Sequence, residues 1–155
     1  MSCHQYQSAD KWCLVALHPI FSNSGPSNQA KFGRKRILCA ISLNKPENAY
    51  ETFGAMPAES QDDCLTRFLM FKASLLDFNH DVALKSIEYL SRCATEANVQ
   101  EMLYACIRES QQAYDKLCTL TALQAVAENW SSEQVSVSYK PPFNSAVLRQ
   151  AYHGN

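Results

Sequence analysis

Apolar side chains recur at three- and four-residue spacing through most of this chain, which lines them along one face of a helix. Leu65, Phe68, Leu69, Leu75 and Leu76 follow that rule, with Lys72 among them, and so do Ala83, Ile87 and Leu90, with Tyr89 beside them. The pattern and its punctuation predict helices over about 10–18, 28–43, 46–56, 60–77, 82–93 and 99–114, and a last one ending near Trp130. Pro19 stops the first helix, and residues 21–26, rich in Ser, Asn, Gly and Pro, form a loop. Ser27 is an N-cap candidate for the second. Asn44 followed by Glu47 has the form of a capping box, with Pro46 early in the helix, where its missing N–H costs little. Pro57 ends that helix. Ser60 caps the next, with Asp62 and Asp63 at the positive end of its dipole. Residues 78–80 and 95–98 break the pattern, and Asp115-Lys116 marks a short turn.

Short loops between helices make neighbours pair antiparallel. The pairs also repeat. Ala49, Phe53 and Met56 return 34 residues later as Ala83, Ile87 and Leu90, and Ile37, Cys39 and Ile41 return as Phe71, Ala73 and Leu75. The break at Asn44 returns at Phe78. A helix pair every 34 residues is the period of tetratricopeptide repeats. The expected fold is therefore all-α: antiparallel helix pairs stacked as a short tetratricopeptide-like solenoid over 10–130. In the third pair the period drifts, with Ala122 and Val126 as the expected matches, a lengthening of about five residues by the same comparison. From Ser131 helical periodicity is lost. Val135, Val137 and Tyr139 alternate with polar residues, Pro141-Pro142 interrupts, and 131–155 is expected to be an irregular, poorly ordered tail.

Composition adds limits. The 155 residues are 46 % hydrophobic and 19 % charged, enough apolar material for one core. Lys+Arg is 14 and Asp+Glu 15, a net charge of -1, without the cationic excess of a non-specific nucleic-acid binder. No stretch approaches the ~18 apolar residues of a membrane span, and the N-terminus lacks the pattern of a signal peptide, so an intracellular protein is expected. The seven cysteines include no C-x-x-C pair and are expected to be reduced and buried as small apolar side chains, with no metal site.

Catalytic motifs are not found. There is no phosphate loop, no G-x-S-x-G elbow and no H-E-x-x-H. His4, His18, His80 and His153 are scattered, and Cys13 with His18 has no informative spacing. An enzyme is not expected, and neither is a cofactor. Lys31, Arg34, Lys35 and Arg36 form a cationic cluster, with Lys31, Arg34 and Lys35 sharing a helix face. With Arg67, Lys72 and Arg108, the residues Lys31, Arg34 and Lys35 are the candidate partner-binding residues. Trp12, Phe32, Phe53, Phe68, Phe71 and Tyr104 are expected in the core.

Several longer strings carry a family likeness. They are Trp12-Cys13-Leu14-Val15-Ala16-Leu17-His18-Pro19-Ile20-Phe21, then Asn23-Ser24-Gly25, Lys31-Phe32-Gly33-Arg34-Lys35, Thr66-Arg67-Phe68-Leu69-Met70-Phe71-Lys72, Leu103-Tyr104-Ala105-Cys106-Ile107-Arg108-Glu109, Asp115-Lys116-Leu117-Cys118-Thr119-Leu120 and Ala125-Val126-Ala127-Glu128. In this order and spacing, over about 10–130, the chain resembles the tetratricopeptide meiosis proteins of fungi, the Zip-four/Spo-twenty-two type. The resemblance implies a nuclear, non-enzymatic scaffold at meiotic chromosomes that helps start synapsis and promotes crossovers by holding other recombination proteins together. Members of that family are several times longer, which implies that this chain corresponds to part of such a protein. The likeness stops at about Val135. A general tetratricopeptide adaptor for chaperones or peptide termini is the other expectation, and it requires a cationic groove.

Overall fold

The computed structural model describes residues 3–18 and 25–130. Those residues form eight α-helices and no strand: α1 (Cys3–Ala16), α2 (Pro26–Ser42), α3 (Pro46–Ala55), α4 (Ala58–Gln61), α5 (Cys64–Ser74), α6 (His80–Arg92), α7 (Val99–Gln112) and α8 (Lys116–Trp130). The expected helix stop at Pro19, most of the loop at 21–26 and the tail at 131–155 lie outside the described residues.

The helix ends differ from the sequence reading in instructive ways. α1 begins seven residues earlier than expected, because 3–9 is polar but holds no helix breaker. Ser27 is inside α2, not its cap. Pro26, with no N–H to satisfy, takes the first helical position, so Gly25 at φ 84 becomes the cap residue. Asn44 does not cap α3 either. It adopts the left-handed conformation, φ 54, and Lys45 precedes the helix without a side-chain cap bond. Ser60 is buried in the one-turn α4, and Asp63 caps α5, its Oδ1 accepting from Thr66 N at 3.0 Å. Asp is a strong N-cap because its carboxylate satisfies an orphan amide and faces the positive end of the helix dipole.

One turn recurs three times. Asn44, Phe78 and Tyr114 have φ of 54, 55 and 57. The residue after each closes the preceding helix: Lys45 N donates to Ala40 O, Asn79 N to Ser74 O and Asp115 N to Ser110 O, all at 2.9 Å. This six-to-one bond with a left-handed residue satisfies the last carbonyls of a helix and reverses the chain. By residue number the turn steps 34 and then 36. The second step is thus two residues longer than the first, not the five expected from sequence. On α8 the buried positions are Cys118, Ala122 and Ala125, while Val126 is only half-buried.

The turns pair α2 with α3, α5 with α6 and α7 with α8. α5 packs on both α2 and α3, α7 on both α5 and α6, and α8 also meets α6, while α1 lies on α2. Two apolar clusters result. Ile37, Ala49, Leu69, Met70 and Ala73 join α2, α3 and α5. Phe68, Phe71, Ile87, Leu90, Leu103 and Cys106 join α5, α6 and α7, with Cys118 and Ala122 of α8. Phe68 and Phe71 are core residues as expected, and Phe32 and Phe53 are half-buried. Trp12 and Tyr104 are not core residues: they are 74 % and 49 % exposed. Each stands next to the position its helix turns inward, Cys13 on α1 and Leu103 on α7, so a helix step of one residue carries the ring to the outer face. No described helix is long and apolar enough to cross a membrane.

Candidate functional site

The cationic candidates are distributed by the helices that carry them. Lys31 and Lys35 are exposed on α2, and Arg108 is half-buried on α7. Arg34, from α2, reaches Asp63 Oδ1 at 3.5 Å. Arg67, from α5, donates to Asp62 Oδ1 at 2.6 Å. Its guanidinium lies 5.2 Å from the Phe53 ring and 5.1 Å from the Tyr89 ring, a cation–π clamp across α3 and α6. Lys72, from the same helix, turns the other way and donates to Glu109 on α7 at 3.1 Å, with side chains 14 % and 25 % exposed. The structure therefore brings Arg34 and Arg67 to the Asp62–Asp63 turn and sends Lys72 elsewhere. Acids of the chain already meet the charges of Arg34, Arg67 and Lys72. Arg36 is likewise held within 3.5 Å of both Asp10 and Glu51, beside a cleft of about 490 Å³ lined by Leu14, His18, Thr52 and Met56.

Exposed large apolar side chains gather on α1, where Trp12, Leu14 and Val15 are 74 %, 52 % and 51 % exposed, and on α8 with the turn before it. Tyr114, Leu117, Leu120 and Leu123 are 91 %, 48 %, 65 % and 45 % exposed. Leu117, Leu120 and Leu123, three apart, lie on the side of α8 away from the buried Cys118, Ala122 and Ala125, and Tyr114 stands in the turn before the helix.

The cysteines behave in part as the sequence implies. Cys13, Cys39, Cys64, Cys106 and Cys118 are free and buried, and Cys93 is half-buried. Burial pushes the thiols of all five buried cysteines up, that of Cys39 to about 11 and that of Cys118 to about 12, where Asp115 adds to it. They thus lack the thiolate character of a nucleophile at neutral pH, Cys13 included.

Two clusters were not legible from spacing. Cys64, Cys93 and Glu96 bring their donor atoms within 4.8 Å of one another, and so do His80, Asp115 and Cys118. In the first, the Cys64 thiol donates to Glu96 Oε2 at 3.3 Å. In the second, Asp115 accepts at Oδ1 from Cys118 N at 3.0 Å and meets His80 Nε2 through Oδ2 at 2.9 Å. Burial alone raises the Asp115 carboxyl, but the Cys118 amide and thiol and the His80 imidazole outweigh it and hold it below the usual carboxylate value. Cys93 and Glu96, three apart, are a signal the sequence does carry. Cys64, 29 residues upstream of Cys93, is not, because only the packing of α5 against α6 brings it there.

Comparison with protein-family models, with curated proteins and with solved structures finds no match to this chain.

Proposed function

We propose that this chain is a protein-interaction module, a short tetratricopeptide-like solenoid that acts as a scaffold among meiotic synapsis and recombination proteins on chromosomes in the nucleus. The observation that carries this reading is the turn repeated at Asn44, Phe78 and Tyr114, with the first helix of each pair seated on both helices of the pair before. Helix pairs joined in this way extend by addition and offer long surfaces to other proteins. The sequence resemblance over 10–130 supplies the meiotic setting.

The alternative, an adaptor that takes the carboxylate of a peptide terminus, calls for cations free to receive it. Arg67 and Lys72 each already hold a carboxylate of this chain, which favours the scaffold. The test is to tag the protein at its own locus and follow it through growth and meiosis. Appearance in meiotic prophase on chromosomes, with fewer crossovers on deletion, is the expected result. Steady expression in growing cells outside the nucleus would sink the meiotic reading and leave the adaptor.

A further inference from the structure

The cluster of Cys64, Cys93 and Glu96 has an architecture that the scaffold reading does not use. Cys64 opens α5, Cys93 follows the last residue of α6, and Glu96 lies in the connection to α7. Three elements thus converge on one point. Their exposure is graded: Cys64 is buried at 8 %, Cys93 half-buried, Glu96 exposed. The cluster thus faces the core through Cys64 and solvent through Glu96. The connection that carries Glu96 is itself tied down, Cys93 N donating to Tyr89 O and Glu96 N to Cys93 O. Tyr89, whose hydroxyl donates to Asp62 O at 2.7 Å, also shares a side-chain hydrogen bond with Cys93.

We propose that Cys64, Cys93 and Glu96 form a binding site for a borderline-soft divalent cation of the zinc class. Two sulfurs and one carboxylate are a donor set zinc accepts, and a solvent molecule completes a tetrahedron on the open side. Zinc–sulfur bonds of about 2.3 Å put two ligating sulfurs about 3.8 Å apart, so donors within 4.8 Å need only small side-chain rotations. The proton balance is simple. Both thiols release their protons to water, the hydrogen bonds of Cys64 to Glu96 and of Cys93 to Cys64 and Tyr89 break, and the dication takes their place among two thiolates and a carboxylate. Binding then fastens the start of α5 to the end of α6 and the loop beyond it.

The second cluster lacks these features. Both oxygens of Asp115 are engaged, one in capping α8, and Cys118 is fully enclosed. A cation there would have to displace a helix cap.

The probe is Co2+, titrated into the reduced full chain under a thiol-free reductant, and then competed with Zn2+. The expected result is one equivalent of cobalt giving a thiolate-to-metal charge-transfer band and the strong visible bands of tetrahedral cobalt, both lost on adding Zn2+. Cys93→Ser and Glu96→Gln change a half-buried and an exposed side chain, and circular dichroism checks that both stay folded. Each is expected to weaken binding by about 100-fold or more, beyond the effect of losing an outer-sphere contact. His80→Gln is expected to leave the bands unchanged. Absence of a charge-transfer band in the wild-type chain overturns the proposal. So does a band that survives Cys93→Ser and Glu96→Gln, or one that His80→Gln removes.

Discussion

A single side chain at a helix end can carry more of this fold than its size suggests. Asp115 is 5 % exposed and serves α8 and His80 at once. Its removal leaves the Cys118 amide without its cap, at a cost of about 1–2 kcal/mol. Asp115→Ala should lower the urea midpoint accordingly. Because the folded carboxyl lies below its unfolded value of 3.8, the stabilisation is complete above that value. It is lost as pH falls from there through the folded value. Wild type and Asp115→Ala should therefore converge in acid, which denaturation at a series of pH values would reveal. Unchanged separation down to the lowest pH would contradict the assignment. Glycines offer a contrast. A Cβ at Gly33 would meet Met56 Sδ at 2.9 Å, where α2 and α3 approach, whereas one at Gly54 meets nothing within 4 Å. Gly54→Ala, inside α3, should stabilise by about 0.5–1 kcal/mol. Gly33→Ala gains the same helix propensity but must push Met56 aside, so it should give the smaller midpoint of the two.

Between elements, the ties are of two kinds. Apolar burial is the larger. Polar clamps orient the helices: Arg67 across α3, α5 and α6, and Lys72–Glu109 between α5 and α7. The Lys72–Glu109 pair is shielded but not sealed, which places its coupling between an exposed pair and a buried one. A double-mutant cycle with Lys72→Met and Glu109→Gln should give a coupling of about 1 kcal/mol that shrinks with added salt. A coupling of zero at low salt would mean that packing alone sets the α5–α7 contact. Phe78 and Tyr114 are also decided at this scale. Bulky residues at positive φ cost about 1 kcal/mol or more, and the closing bond to the previous helix holds them there.

At the scale of the whole molecule, α5 is the shared element of both apolar clusters. Phe68 and Phe71 serve one, Leu69 and Met70 the other. Phe71 is 0 % exposed, and Phe71→Ala should cost about 3–5 kcal/mol, a large part of the stability of a domain this size. Helix loss should be cooperative across all pairs, since neither cluster survives without α5. Leu120→Gln, on the open side of α8, should shift stability by no more than about 0.5 kcal/mol. Much of the architecture was present in the order of residues. Three- and four-residue spacing is a local property, so the helical class, the breaks near 44, 78 and 115 and the buried Phe68, Phe71, Ile87 and Leu90 could be read directly. Helix ends were less legible. Asn44 and Ser60 are good caps by residue type, and the backbone used the first for its tolerance of positive φ and buried the second. Trp12 and Tyr104 read as core because apolarity does not say which side of a helix has a neighbour. The charge on Arg67 and Lys72 was visible, but the acids that neutralise it come from other turns and helices. The meeting of Cys64 with Cys93 and Glu96 likewise depends on distances across α5 and α6. Local periodicity fixes what each segment is; the packing of one segment on another decides which side chains meet, and a chemical site is made of meetings.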